Sequence, residues 1–289
     1  MHNSSWIGYL FILPAFALLI LFNFVPIIMN VYLSFTSWDM LLGDPEFVGL
    51  MNYVQLLQSE GFWHNLGVTV KYAVVFVPIS MALGLGIALL LMENNVFVKI
   101  MRTIFFAPTV TSMVAISAVW LYIFHPQYGT LNNILSMFNI APVAWLNDPD
   151  VALYSLILLN IWKRVGFCCV IYLGALLSIP RDYYEAAALD GASAVQKFRY
   201  VTLNLISPTS FMLLVLLTIE VFQIFTQIDI MTQGGPNEAT MNLLASMYYV
   251  AFTEFRMNEG STLSIVLLLI VMAVNFVQMK LEKYVNYEV

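Results

Sequence analysis

Charge is what this sequence has least of: 10% of its 289 residues are Asp, Glu, Lys or Arg, against about 25% in soluble domains. With 61% of the residues hydrophobic and gathered into long blocks, an ordinary water-soluble fold is excluded. The 11 basic residues form no cluster and the net charge is −6, so the electrostatic grip on phosphates that nucleic-acid binding needs is missing. Cysteine is limited to Cys168 and Cys169, adjacent and inside an apolar block. Neighbouring cysteines rarely pair with each other and burial keeps a thiol inert, which argues against a disulfide framework and a redox or metal role. His2, His64 and His125 are far apart and make no metal motif. No glycine is followed by lysine, which removes the phosphate loop G-x-x-x-x-G-K-[ST] and sends any nucleotide chemistry to another chain. No nucleophile stands with a base, so an intramembrane enzyme has nothing to work with.

What is present is a set of apolar blocks of bilayer length. About 20 apolar residues cross a membrane as a helix, and in lipid only helices and closed barrels satisfy their backbone polar groups. These blocks are too long and too evenly apolar for barrel strands. They predict an all-α membrane protein, a single domain with six transmembrane helices at about 6–33, 70–92, 104–124, 152–177, 205–228 and 263–281. The first block lacks a basic leader and a small-residue cleavage site, so it reads as a spanning helix, kinked near Pro14 and Pro26, rather than a signal peptide.

The connections sort by charge. Lys99 and Arg102, then Arg181, Lys197 and Arg199, then Lys280 and Lys283 fall on one side; Arg256 alone falls on the other. By the positive-inside rule the second-to-third and fourth-to-fifth connections are cytoplasmic, with both termini. Trp6, Tyr9, Trp38, Tyr72, Trp120, Tyr122, Tyr154 and Tyr284 lie near expected span ends, as an aromatic belt would. Lys71 is expected to snorkel to the interface.

One cytoplasmic connection, 178–204, differs from the rest. Its centre, from Asp182 to Ala188, is a strong helix former with Pro180 before it and Gly191 after, the asymmetry of a short helix that ends in a glycine turn. Glu185 and Asp190 are its exposed charges. On residue chemistry alone it is either an amphipathic connector or a docking helix. The run Glu185, Ala186, Ala187, Asp190, Gly191 and Ala192, with Phe198 seven residues past Gly191, closely resembles the EAA loop of binding-protein-dependent ABC importer permeases. The resemblance implies a type I importer permease fold and a coupling helix seated on an ATPase subunit. Asn204 stands where that family usually has proline, a difference that bears on a helix start and leaves the docking residues intact.

The segment MTQGGPNEAT, residues 231–240, is similar to the T-x-G-G-P-x-x-x-T signature of the carbohydrate branch, the maltose and glycerol-phosphate type. Phe47-Val48-Gly49-Leu50 with Asn52-Tyr53, Pro108, Gly129 with Asn132, and Trp162-Lys163 agree with it. The chain looks most like the first permease of a heterodimeric pair. The resemblance implies these partners: a homologous second permease, two ATPase subunits, an extracytoplasmic solute-binding protein, a sugar and membrane lipid. It implies no cofactor in this chain, ATP and Mg being held by the ATPase, and a bacterial cytoplasmic membrane location.

Charged residues at membrane depth default to functional roles. Asn160, Lys163, Arg164 and Phe167 are spaced i, i+3, i+4, i+7, and Glu220, Gln223 and Gln227 are spaced i, i+3, i+7, so each set predicts one helical face. At 1.5 Å per residue Arg164 and Glu220 lie roughly 18 and 12 Å below the outer ends of their spans. Two such stripes suit a water-filled pathway, and the maltose-branch resemblance places the sugar there, near Asn160 and Glu220. The plain alternative is an Arg164–Glu220 ion pair that staples two helices. Lys163 also fits an interface with the sister permease. Arg164 raises an acidic glycan or phosphorylated polyol as an alternative substrate. An ion-coupled secondary transporter with Glu220 as its ion site is the rival class, and it leaves the 178–204 loop unexplained.

Overall fold

A computed structural model describes residues 5–38, 45–93 and 95–285, with side chains between residues 9 and 282. The side chains of Trp6, Lys283 and Tyr284, and the terminal residues that bear on the sidedness of the two ends, lie outside the described residues. The chain is helical nearly throughout, as apolar blocks in lipid must be. Among the described residues, four helices are long and apolar enough to cross a membrane: Tyr9–Ser34, Glu60–Leu90, Pro149–Ser178 and Met257–Glu282. Two bent pairs bring the count to six when each is taken as one span.

The chain divides into two compact units, one of residues 1–64 with 246–270 and the other of 65–245 with 271–289. In the first, α1 (Ser5–Leu19) runs through a wide turn at Ile20–Phe24 into α2 (Val25–Ser34). The wide turn directly precedes Pro26, whose missing N–H cannot close an α-helical bond. A two-stranded ribbon follows, β1 (Thr36–Ser37) against β2 (Glu46–Phe47), with Thr36 opposite Phe47. It leads to α3 (Met51–Gln58). Asn52 is buried beneath the ribbon and donates to the Ser34 and Thr36 carbonyls at 2.9 and 2.8 Å. Tyr53 shares a 2.7 Å hydrogen bond with the Ser34 hydroxyl. The Asn52-Tyr53 pair of the first outer segment is thus a backbone clasp.

Arg256, the single basic residue assigned to the outer side, is held by the carboxylates of Glu254 and Glu259. The hydrogen bond to Glu254 raises the guanidinium pKa above its ordinary value. This turn therefore presents no unbalanced positive charge.

The second unit is organised around α8 (Pro149–Ser178). Its other helices are α4 (Glu60–Leu90), α5 (Val96–Val110), α6 (Met113–Ile123), α7 (Thr130–Met137), α9 (Arg181–Leu189), α10 (Ala194–Gln196), α11 (Leu203–Leu205), α12 (Ser207–Phe222) and α13 (Thr226–Met231). The short α14 (Leu243–Tyr248) and the long α15 (Met257–Val285) belong in part to each unit. More than half of the apolar window of α8, 56%, is buried, against 28% for α4. This explains why α8 carries the closest helix approaches. The Cβ of an alanine at Gly166 would fall 1.9 Å from the Phe105 carbonyl oxygen, so α5 and α8 touch backbone to backbone there. At Gly84 an added Cβ would fall 2.4 Å from the Cys168 Cβ, so α4 packs directly on the cysteine pair. Both cysteines are buried and free; their size serves packing.

Two spans differ from the sequence expectation. The block 104–124 is not one helix: α5 ends at Val110 and α6 starts at Met113, bent by 101°. Thr111 and Ser112 are extended. The break falls in the run Pro108, Thr109, Val110, Thr111, Ser112, a dip too short to split an apolar block of bilayer length. The block 205–228 is interrupted twice. A 62° bend separates the stretch up to Leu205 from α12. Pro208 has no N–H to give the Asn204 carbonyl, and the Ser207 hydroxyl donates to that carbonyl at 2.6 Å instead. The bend therefore belongs to Pro208, while Asn204 back-bonds to the Tyr200 carbonyl at 2.8 Å. Past Phe222 the helix stops, and α13 begins only at Thr226. Asn242, buried, donates to the buried Ile224 carbonyl at 2.6 Å and accepts from the Ala245 amide at 2.8 Å, capping α14 with the same side chain.

Candidate functional site

The polar residues at membrane depth converge from four helices of the second unit. Arg164 on α8 donates its Nε to Glu220 Oε1 on α12 at 2.6 Å, and its guanidinium lies 5.4 Å from the centre of the Phe167 ring. Glu220 sits two residues before the end of α12, which lets it meet Arg164 despite the different depths expected from sequence. Both partners remain part-exposed, 28% and 23%. Beside them lie the buried amides of Asn160 on α8 and Gln227 on α13, together with the buried Tyr72 of α4. The Tyr72 hydroxyl donates to the Leu156 carbonyl at 3.2 Å. Asn160 Nδ2 is buried and has no hydrogen-bond partner among the described residues.

Tyr72 is the residue sequence reasoning misassigned. It is 1% exposed, not at an aromatic belt, because α4 begins ten residues before the expected 70–92 block and carries Tyr72 inward. The pattern that could have found it is Tyr72 with Phe76, one helical turn apart on the buried face of α4. Trp120 leaves the belt too: it is buried and packs on Phe124 and Trp162. Lys71 points the other way, its ammonium 4.7 Å above the exposed Tyr154 ring.

The expected single face of Glu220, Gln223 and Gln227 does not form, because the helix ends between the first and the last. Gln223 caps α12 and is exposed, while Gln227 is buried one helix later. Lys163 also turns away from Asn160: its ammonium reaches the carbonyls of Pro108, Thr109 and Thr111 at the end of α5.

The second candidate site is the loop of residues 178–204. Helix α9 spans Arg181–Leu189 with Asp182 in its first turn, where a carboxylate meets the positive helix end. Gly191 has φ +78°. Its amide bonds the Ala188 carbonyl at 3.1 Å and the Ala192 amide bonds the Ala187 carbonyl at 2.9 Å, the paired closure that ends a helix through a left-handed glycine. Ser193 and Gln196 then form a reciprocal cap on α10. Tyr184 shares a 2.9 Å hydrogen bond with Thr202, tying the outgoing and returning arms. Glu185, Ala186, Asp190 and Gly191 are exposed, Ala187, Ala192 and Phe198 half-buried. Leu189 is 89% exposed. A residue with a Cβ at Gly191 has open space around it but an unfavourable φ. Gly191→Ala is therefore expected to cost about 1 kcal/mol, read as a modest fall in thermal midpoint with the loop still formed.

The GGP segment closes on itself. Gly234 adopts φ +84° and the Gly235–Pro236 bond is cis. Thr232 and Thr240 share a 2.8 Å hydroxyl contact, and Thr240 donates to the Gly235 carbonyl at 2.8 Å. The two threonines of T-x-G-G-P-x-x-x-T are the clasp of that turn.

Residues 76–287 match the family model described as binding-protein-dependent transport system inner membrane component. The chain belongs to this family. The permease is 35% identical over 98% of both chains to a probable ABC transporter permease protein, YurN, of Bacillus subtilis. It is 32% identical to the trehalose/maltose transport system permease protein MalF of Thermococcus litoralis, over 98% of this chain and 96% of that one. Its fold matches a chain of a bacterial alginate ABC transporter, solved in complex with an alginate pentasaccharide-bound periplasmic protein. The TM-score is 0.85 and the identity 23%, covering 99% of the permease and 97% of that chain. The permease is thus a membrane-embedded ABC transport subunit of the type I importer fold.

Proposed function

We propose that the permease forms the translocation pathway of an ATP-driven sugar importer in a bacterial cytoplasmic membrane. It pairs with a homologous second permease, two ATPase subunits that hold ATP and Mg, and an external binding protein that delivers the sugar. The observation that carries this reading is α9: a short helix with a rigid glycine stop, its Glu185, Asp190 and Leu189 turned outward, in the family of permeases that serve binding proteins. Closure of the ATPase pair would move Glu185, Ala186, Ala187, Asp190, Gly191, Ala192 and Phe198 as one body, because Tyr184–Thr202 binds both arms of the loop. Transport then needs two conformations biased by nucleotide and ligand, and no covalent chemistry in this chain.

Support for a sugar comes from the trehalose/maltose relative and from the donor set. Asn160, Gln227 and Tyr72 offer amide and hydroxyl groups in a buried cluster, with Asn160 Nδ2 unpartnered among the described residues. Phe167 supplies an aromatic face, and Arg164, Glu220 and Gln223 complete the polar lining we assign to the pathway. The Arg164 charge is balanced by Glu220, which favours a neutral sugar over an acidic glycan or phosphorylated polyol.

The test is an affinity pull-down of the permease from its own membrane, scored for a co-purifying ATPase, beside a Glu185→Lys/Gly191→Asp variant. Retention with the wild type and loss with the variant is expected. A permease that comes out alone, or a variant that keeps every partner and full transport, overturns the coupling assignment and favours an ion-coupled transporter.

A further inference from the structure

The end of α5 poses a problem that water cannot solve at membrane depth. A helix leaves its last four carbonyls without intrahelical partners, and in hydrocarbon each unsatisfied one costs several kcal/mol. At the α5–α6 break the Ala107 carbonyl accepts from the Thr111 hydroxyl at 3.2 Å. The carbonyls of Pro108, Thr109 and Thr111 converge on one point, and Lys163 Nζ occupies it at 3.2, 3.5 and 2.5 Å. An ammonium has three N–H donors, one for each. The contact is reciprocal: the Thr109 hydroxyl donates back to the Lys163 carbonyl at 3.2 Å. One turn further along α8, Gly166 lets the Phe105 backbone into contact, so the two helices are held together at the lysine and one turn beyond it. The neighbouring Arg164 is neutralised by Glu220, and no carboxylate is needed beside Lys163 because the negative end of the α5 dipole faces it.

We propose that the break in the third span is a three-carbonyl cation site, that Lys163 is its tethered cation, and that the site accepts a free primary alkylammonium once the lysine side chain is removed. Lys163 is on this view a positioning residue that holds α5 and α6 apart. Its charge acts on backbone carbonyls rather than on substrate.

The experiment uses the full chain in lipid nanodiscs and reads hydrogen exchange of the amides of residues 111–116, which needs neither partner nor substrate. In Lys163→Ala and Lys163→Met exchange is expected to rise about tenfold, the loss of one charge-assisted hydrogen bond. Millimolar n-butylammonium is expected to restore protection in Lys163→Ala. Equal n-butanol should not restore it there, and n-butylammonium should not restore it in Lys163→Met, where the thioether fills the space. Unchanged exchange in both variants overturns the proposal. So does equal rescue by the alcohol, or wild-type protection in Lys163→Met with loss in Lys163→Ala alone, since the lysine would then be a packing residue. Because the readout is independent of the ATPase, its failure is separable from failure of the importer reading.

Discussion

Gly166→Ala is expected to leave little or no folded permease in the membrane, whereas Gly174→Ala, eight residues along the same helix, is expected to be neutral or stabilising. The added methyl at Gly166 would lie 1.9 Å from the Phe105 oxygen, 2.6 Å from its carbonyl carbon and 3.0 Å from the Phe106 Cα. All three are backbone atoms of α5, so no rotamer change relieves the clash and the helices must separate. Overpacking against movable side chains costs about 1–3 kcal/mol, and a backbone contact that also dislodges the Lys163 bonds costs more. Against a typical stability of about 5–15 kcal/mol, that is enough to shift the folded population. At Gly174 nothing lies within 4 Å, and alanine gains about 1 kcal/mol of helix propensity. Membrane yield and thermal midpoint of the two variants in detergent decide the matter. Equal midpoints would mean that α5 and α8 are not in backbone contact.

The same residues show what a sequence can and cannot disclose about such a protein. Span existence was legible because a bilayer sets the length an apolar block must have, and α8 falls within a few residues of the expected 152–177. The α9 helix was legible as well, since Pro180, Asp182 and Gly191 are local signals for start and stop. The breaks were not. The α5–α6 bend depends on Lys163, more than 50 residues away, and the end of α12 depends on Asn242, 18 residues past the Ile224 carbonyl it satisfies. Both helix ends meet donors far away in the sequence, which a hydropathy profile does not register. The Arg164–Glu220 ion pair, which the sequence offered as the plain alternative, is present, because one contact between two helices needs only approximate depth. Helical spacing misplaced Gln223, because a shared face needs the helix to continue.

Removing one member of the Arg164–Glu220 pair is expected to be far more damaging than removing both. Glu220→Gln keeps the size of the side chain but leaves the guanidinium uncompensated in a setting where it is only 28% exposed. An unpaired arginine at the centre of a span costs about 2.5–3.5 kcal/mol, and breaking a buried ion pair from one side falls in a similar range. Arg164→Met with Glu220 intact leaves the converse problem, a carboxylate beside the Phe167 ring and the buried amides of Asn160 and Gln227. In the double variant neither charge remains, and what is lost is one 2.6 Å hydrogen bond whose net worth is at most about 3 kcal/mol. Thermal midpoints of the two single variants should therefore both fall, and the double variant should recover much of the loss, a coupling well above the about 0.5 kcal/mol scatter of independent sites. Strictly additive losses would mean that α8 and α12 are held by the apolar packing around Leu213 and Leu217 alone. The two charges would then be free to answer to a ligand rather than to each other.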